Sequence, residues 1–131
     1  MNSPKKMLNP QALLSLYGEF PSLSGAEIIE FFLKRDEPRV LMKIMTESKP
    51  KDVPARWPEK YDVIYLSLSF IGTREITASG WGQSNIMDRF DFDETDDLLS
   101  VRIFCEQGVS ICFDCDWIAV DGLVPGSIGS P

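Results

Sequence analysis

Two runs of alternating apolar and polar residues dominate the middle of the chain, one on each side of Ile71-Gly72-Thr73. Alternation with period two is typical of strands that bury one face. The three residues between the runs are short enough for a hairpin loop, and they include a glycine for the bend. The pattern therefore predicts a central hairpin in which Leu68 pairs with Ile76 and Leu66 pairs with Ala78.

A second hairpin is predicted upstream, between Glu27 and Ile44, around a two-residue turn at Asp36-Glu37. This register places apolar residues opposite one another on one face: Leu33 with Val40, Phe31 with Met42, and Ile29 with Ile44. On the other face it sets Glu30 against Lys43, an opposite-charge cross-strand pair.

The last third of the chain carries the remaining strand patterns. Asn85–Asp93 reads as a strand with Phe90 and Phe92 inward, followed by a turn at 94–97. Leu98–Cys115 predicts a hairpin around Glu106-Gln107-Gly108, whose glycine suits the left-handed position of a three-residue loop. The resulting register is Cys105 with Val109, Ile103 with Ile111, Val101 with Phe113, and Leu99 with Cys115. A final short strand is expected at Trp117–Val120.

Only one helix is predicted. Asn9 is a capping residue, Pro10 suits the first helical position, and Gly18 suits the left-handed stop. Thr46–Asp62 has three prolines and no apolar period, so it predicts a long loop.

These elements predict a mainly β protein with one short N-terminal helix and an antiparallel sheet of about seven strands in hairpins. A sandwich, a rolled sheet and a partly open barrel all fit the pattern. At 131 residues the chain is expected to form a single domain over 1–131, with an ordered core at 9–121. Residues 1–8 and 124–131 are expected to be flexible.

The charge of the chain is unevenly distributed. The formal net charge is −7, and residues 86–121 hold ten acidic residues against Arg89 and Arg102. A negative field repels nucleic acid and anionic membranes, and it attracts basic partners or cations. It also fits a plain solvated surface.

The chain lacks the residues of common catalytic centres. There is no histidine, so no Ser-His or Cys-His relay can form within it. Three cysteines without framework spacing suit a reducing, cytoplasmic setting. Cys112 and Cys115 form a CxxC, but strand residues three apart point to opposite faces. We therefore expect no metal, no cofactor and reduced thiols, with Cys105 and Cys115 in the core.

Two features are candidate sites. The residues 91–97 hold five carboxylates, including the turn residues Asp93, Glu94, Asp96 and Asp97. An exposed turn, a contact patch for a basic partner and a metal or catalytic site are all open readings, although the EF-hand pattern is not met. Trp57 is the only large apolar residue of the long loop. It either packs back against the sheet or anchors a partner.

Several short motifs, in their order and spacing over about residues 9–120, resemble the immunity protein 50 family of bacterial polymorphic toxin systems. The matching pieces are Asn9-Pro10, Leu13, Leu16-Tyr17-Gly18, Pro21-Ser22-Leu23, Leu33–Asp36 with Pro38, Pro54–Trp57, Leu66–Phe70 and Gly80-Trp81. One departure is Glu37, where the family commonly has glycine in the turn.

The resemblance implies a cytoplasmic, non-enzymatic protein that binds and neutralises a cognate toxin domain. The acidic segment favours a basic toxin, and on that basis Asp93, Glu94, Asp96 and Asp97 are expected to contact it, with Trp57 as an apolar anchor. Other classes remain open from the residues alone. They are a small ligand-binding or carboxylate-dependent enzyme domain, and a structural subunit of a larger complex.

Overall fold

Nine strands and one helix make up the regular structure of residues 4–50 and 53–127, the part of the chain that the computed structural model describes. The helix is α1 (Gln11–Tyr17). The strands are β1 (Met7–Leu8), β2 (Glu27–Lys34), β3 (Arg39–Thr46), β4 (Val63–Ile71), β5 (Arg74–Ser79), β6 (Met87–Glu94), β7 (Leu99–Cys105), β8 (Ser110–Cys115) and β9 (Trp117–Gly126).

The strands form two sheets that pack as a sandwich, which is one of the three predicted architectures. The five-stranded sheet has the order β1-β9-β4-β3-β2, and the four-stranded sheet has the order β5-β8-β7-β6. All pairings between neighbours are antiparallel except the short parallel pairing of β1 with β9. The mainly β prediction with one short helix is therefore confirmed.

The predicted central hairpin is wrong. β4 pairs with β3 on one side and β9 on the other, so it has no free edge for β5, which pairs with β8 in the other sheet. Leu68 lies opposite Met42 and Val120 rather than Ile76, and Leu66 lies opposite Ile44 and Leu123 rather than Ala78. The alternating pattern correctly predicted which residues are buried, because Leu66 and Leu68 are each 1% exposed. Alternation identifies a buried face but does not identify the partner strand.

The connection at Gly72-Thr73 carries the chain from one sheet to the other. The N–H groups of both residues donate to the carbonyl oxygen of Pro38, at 2.9 and 3.1 Å, which ties the crossing to the β2–β3 turn. Gly72 has φ +73°, and a Cβ placed there would lie 2.1 Å from a carboxylate oxygen of Asp116. A glycine is therefore required here for a crossing between sheets rather than for a hairpin turn.

The β2–β3 hairpin has the predicted register over most of its length. Leu33 pairs with Val40, Phe31 with Met42, and Glu30 with Lys43. The pairing of Ile29 with Ile44 is wrong, because a bulge between Ile28 and Glu30 places Ile28 opposite Ile44. The turn spans residues 35–38 rather than two residues, and Glu37 adopts a left-handed φ of +62°.

The β7–β8 hairpin confirms the predicted register throughout. Ladder partners are Leu99 with Cys115, Val101 with Phe113, and Ile103 with Ile111, and the N–H of Cys105 donates to the carbonyl of Val109. The prediction succeeded here because a glycine at the left-handed position fixed the loop length. In the structure both Gln107 and Gly108 have positive φ.

Regular strand structure extends beyond the predicted elements at both ends of the chain. β9 continues beyond Val120, and its residues Val124, Pro125 and Gly126 pair with Tyr65, Ile64 and Val63. Met7 and Leu8, expected to be flexible, add a short strand to the edge of β9, and Met7 is 8% exposed. The rest of the expected flexible ends lies partly outside the described residues, at 1–3 and 128–131.

The N-terminal helix and the connector after it complete the core. α1 ends as predicted, with Gly18 at φ +80° and its N–H bonded to Leu14, but Asn9 has φ +55° rather than the extended conformation of a capping residue. Phe20, in the connector, is 1% exposed and its ring stacks on Phe90 at 5.7 Å between centroids. Phe20 thus fills the space between the sheets, a role that its turn-rich surroundings did not indicate.

Candidate partner-binding surface

The outward side of the five-stranded sheet carries several exposed apolar side chains besides its charged ones. Residues directly opposite in a sheet share a face, and this face pairs Phe32 with Leu41, Met45 with Tyr65, and Ile71 with Trp117. Its most exposed members are 40–55% exposed: Leu8, Phe32, Trp117 and Val124. We call this surface, together with the half-buried Leu41, Met45, Tyr65 and Ile71, the apolar face. Contiguous exposed apolar surface marks interaction sites.

A shallow groove of about 190 Å³ crosses the apolar face, and its walls include Phe32, Leu41 and Lys43. The floor is low because β4 contributes serines there, and Ser67 lies opposite Gly122 of β9. A bulge in β9 leaves Asp121 without a ladder partner, since Val120 and Gly122 pair with the adjacent Leu68 and Ser67. Such bulges redirect side chains.

The redirected Asp121 carboxylate lies in the groove and accepts a hydrogen bond from the hydroxyl of Ser69. Ser69 is fully buried, whereas Asp121 is exposed. A buried hydroxyl needs an acceptor, because losing its bonds to water without compensation is unfavourable. The groove therefore holds the Asp121 carboxylate in a position fixed by the sheet below it, beside the charged side chains of Glu30 and Lys43.

The outward side of the four-stranded sheet has a different character, because its charges neutralise one another. Arg102 binds Asp93 on the neighbouring strand, and Arg89 forms a 3.7 Å ion pair with Asp91. Arg89 also lies over the ring of Phe104, at 4.7 Å. The charged side chains of this face are therefore largely occupied by one another.

Two of the four predicted acidic residues bind other groups of the same chain. Asp93 forms the ion pair with Arg102. The carboxylate of Glu94 accepts hydrogen bonds from the main-chain N–H groups of Lys5 and Lys6, at 3.0 and 2.6 Å. Glu94 therefore holds the N-terminal segment against the turn. Glu94 thus has a structural role. The sequence did not indicate this role, because its partners Lys5 and Lys6 lie nearly 90 residues away along the chain.

Asp96 and Asp97 remain as exposed carboxylates at the tip of this turn, with no ion pair among the described residues. The turn is joined to the apolar face through Lys6. The Nζ of Lys6 donates to the carbonyl oxygen of Asp96 at 2.9 Å and lies 5.6 Å from the centre of the Trp117 ring. The acidic tip and an exposed tryptophan thus form one continuous surface at the start of β9.

Trp57 lies elsewhere. It is half-buried, meets Tyr61 edge-on at 5.5 Å, and lines a pocket together with Leu16 of α1 and Leu123 of β9. Leu123 and Trp117 stand at opposite ends of β9, so the structure does not bring Trp57 and the acidic turn together. Trp57 contacts a residue of its own loop and faces the pocket beside α1 and β9, away from Asp96 and Asp97.

The cysteines occupy the predicted faces. Cys105 and Cys115 are buried, and Cys112 is on the outward side. Burial raises the pKa of the Cys105 thiol, and it raises that of Cys115 from 9.0 to about 12, with the neighbouring Asp116 adding to the effect. A thiol that stays protonated at neutral pH is a poor nucleophile and a poor metal ligand.

The sequence reasoning missed the apolar face and the Asp121 groove. One signal was present, because WIAV at the start of β9 and YLSLS in β4 put apolar residues or small serines on both sides of their strands. Strands of this kind lie in the middle of a sheet or carry a second contact surface. Asp121 itself gave no signal, since the bulge that redirects it depends on the pairing of β9 with β4.

The two packed sheets define the chain as a mainly β protein with a sandwich-like fold. Among the described residues, no group of three or more His, Cys, Asp or Glu side chains is placed to hold a metal ion, and no helix is long and apolar enough to cross a membrane.

A family model, described as immunity protein 50, matches residues 9–126, nearly the whole chain. The chain belongs to the immunity protein 50 family, as the motifs of the sequence suggested. The comparisons with curated proteins and with solved structures found no match. Membership of this family supports a role as an immunity protein, which implies a cognate toxin and a non-enzymatic function.

Proposed function

We propose that this protein is a bacterial, cytoplasmic member of a polymorphic toxin system that neutralises one cognate toxin domain by binding it. The observation that carries the proposal is the apolar face, with Trp117, Leu8 and Val124 each at least 40% exposed on one sheet. Exposed aromatic side chains provide much of the binding energy where proteins meet, and Trp in particular is enriched at binding hot spots. The family assignment supplies the kind of partner.

Charge supports a toxin with a basic surface next to its apolar contact. Asp96 and Asp97 extend the apolar face at the Trp117 end, and Asp121 lies in its groove. Complementary charge at the rim of an interface mainly speeds association, whereas apolar anchors at the centre slow dissociation. Of the four acidic residues predicted from the sequence, we assign the contact to Asp96 and Asp97. Asp93 and Glu94 would hold the turn in place through their contacts with Arg102 and the N-terminal segment. Trp57 would stabilise the fold near α1, away from this turn.

A carboxylate-dependent enzyme is the weaker alternative. Paired carboxylates that act as acid and base need one another and a substrate within reach. Asp93 is bound to Arg102 and Glu94 to two main-chain N–H groups, so neither is free for such a role. The acidic segment therefore favours a contact surface.

The test needs the cognate toxin domain, which is first sought among the neighbouring genes and then purified in an inactive form and immobilised. Trp117→Ala should weaken binding about 30-fold or more, mainly through faster dissociation, since central aromatic anchors contribute about 2 kcal/mol or more. Val53→Ala is the control, because Val53 is also exposed, at 43%, but lies in the loop before β4. If both variants lost the same affinity for the toxin, or if Trp117→Ala lost none, the apolar face would not be the binding surface.

The charge contribution is tested separately. Asp96→Asn with Asp97→Asn should slow association and reduce its salt dependence while dissociation stays nearly constant. Glu59→Gln with Glu106→Gln changes the net charge equally, and Glu106 follows the opposite end of β7 from the acidic turn. If this control slows association as much, the effect is one of net charge and not of the acidic tip. Failure of the wild-type protein to bind or to protect toxin-producing cells would reject the proposed function itself.

A further inference from the structure

One edge of the five-stranded sheet is open. β2 is the last strand in the order β1-β9-β4-β3-β2. Its start is held by the beginning of β6, since the N–H of Ile28 donates to the carbonyl of Asn85 and Glu27 forms a bridge with Ile86. Beyond the bulge at Ile29, the strand pairs with β3 and with no other strand of the described residues. Its main-chain groups on the other side are available to another strand.

The open edge exposes apolar side chains. Phe32 and Leu33 are 55% and 57% exposed. Proteins guard such edges with charge, proline or bulges, because an exposed apolar edge pairs readily with other chains. β2 has a bulge only near its start, and its two charges in this stretch, Glu30 and Lys34, have opposite signs.

These charges make the edge complementary to itself. Glu30, Phe32 and Lys34 alternate along the strand and therefore share its outward face. In an antiparallel pairing with its own copy, centred on Phe32, Glu30 of each strand would face Lys34 of the other. The two Phe32 rings would meet between the two charge pairs, and Phe31 would face Leu33 on the inward side. Opposite charges and aromatic pairs directly across a sheet are both favourable.

We propose that a second copy of this chain docks on β2, so that two five-stranded sheets join edge to edge across a two-fold axis at Phe32. A closed, two-fold arrangement of this kind uses the same patch on both copies. A foreign strand would need a base, an apolar residue and an acid at alternate positions to match this edge equally well, and β2 itself meets that requirement.

A feature within the monomer also fits this pairing. Lys34 lies opposite Arg39 in the β2–β3 ladder, a like-charged pair that is unfavourable by itself. In the proposed dimer Glu30 of the second copy would lie on the free side of Lys34 and compensate this charge. On the inward side, Trp81 packs against Phe31 at 5.8 Å and extends the apolar surface beside the edge.

The test is a charge exchange followed by sedimentation velocity over a range of protein concentrations. Lys34→Glu and Glu30→Lys each place like charges at both symmetric positions, so each variant alone should lose self-association by about tenfold or more. An equimolar mixture of the two variants restores both opposite-charge pairs and should associate again. Lys34→Glu is the cleaner variant, because it replaces the like-charged contact with Arg39 and should not lower the unfolding midpoint.

Lys60→Glu is the control, since it makes the same charge change at an exposed position in the loop before β4. It should leave the association unchanged. A wild-type protein that stays monomeric over the whole concentration range would overturn the proposal. So would single variants that associate like the wild type, or a mixture that does not recover. Weaker toxin binding by Lys34→Glu with unchanged self-association would also overturn it, because the edge would then belong to the toxin.

Discussion

The fully buried hydroxyl of Ser69 donates a hydrogen bond to the exposed carboxylate of Asp121, across the middle of the apolar face. The two residues are on neighbouring strands, and the bulge in β9 brings them together. The contact fixes an acidic group among the exposed apolar side chains of this face. It also gives a buried polar atom the partner that it needs.

Asp121→Ala should therefore destabilise the protein although Asp121 is exposed. The change removes the acceptor of a buried hydroxyl, which costs about 1–3 kcal/mol in the free energy of unfolding. Asp121→Asn keeps an acceptor oxygen and should lose much less. The measurement is urea unfolding, with the double variant Ser69→Ala, Asp121→Ala completing a cycle. Purely additive losses in that cycle would contradict a direct contact.

The N-terminal segment gives a second prediction. Glu94→Ala removes the acceptor of the Lys5 and Lys6 N–H groups, so hydrogen exchange of the Lys6 amide should become faster and β1 less protected. The free energy of unfolding should fall by about 1 kcal/mol, since these bonds are exposed. Asp97→Ala removes a nearby carboxylate that forms no ion pair among the described residues, and it should leave the exchange rate unchanged. Equal exchange in both variants would disprove the tethering role of Glu94.

The contrast between two predicted hairpins shows what the sequence could and could not reveal. In the β7–β8 hairpin the left-handed position of Gly108 set the loop length, and the whole register followed. Gly72 looked equivalent but serves a crossing between sheets, because Asp116 and the carbonyl of Pro38 lie against it. Both of those contacts are remote in the chain, so local turn chemistry could not distinguish them.

The candidate site shows the same limit. The sequence predicted four acidic residues at one turn, but Asp93 and Glu94 lie at the end of β6, and only Asp96 and Asp97 lie between β6 and β7. Their availability depended on Arg102 and on the N-terminal segment, which only the fold brings there. The apolar face depends on which strands are central, and that order arises from the pairing of β4 with both β3 and β9.

The β2–β3 turn offers a stabilising substitution. Glu37 has φ +62°, a conformation that costs a residue with a Cβ about 1 kcal/mol. Glu37→Gly should therefore raise the free energy of unfolding, and glycine is also the residue common at this position in the family that the sequence resembles. The exposed 3.9 Å contact of Glu37 with Arg39 contributes little and should not offset the gain. Glu37→Ala is the control, because it loses the same carboxylate but keeps the strain. A gain no larger in Glu37→Gly than in Glu37→Ala would contradict this explanation.

The buried thiol of Cys115 predicts how stability changes in alkaline solution. Its pKa is raised from 9.0 to about 12 in the folded protein, mainly by burial. A group whose folded pKa is raised contributes its full stabilisation below its unfolded pKa, and this contribution is lost as the pH rises toward the folded value. The free energy of unfolding should therefore be nearly level from pH 7 to 8 with respect to this group and fall above about pH 9. Tyr17, whose pKa burial also raises to about 12, should steepen the fall above pH 10.

Cys115→Ala separates this effect from general alkaline unfolding. The variant should be less stable at pH 7, because it leaves space in the core. Its stability should nevertheless decline less steeply between pH 8 and 10, since one group that releases a proton on unfolding is gone. Cys112→Ala is the matched control, because Cys112 lies on the outward face of the same strand and no comparable core contact is lost. Urea unfolding at four pH values would compare the slopes. Identical slopes in the wild type and in Cys115→Ala would show that the Cys115 thiol does not govern the alkaline loss of stability.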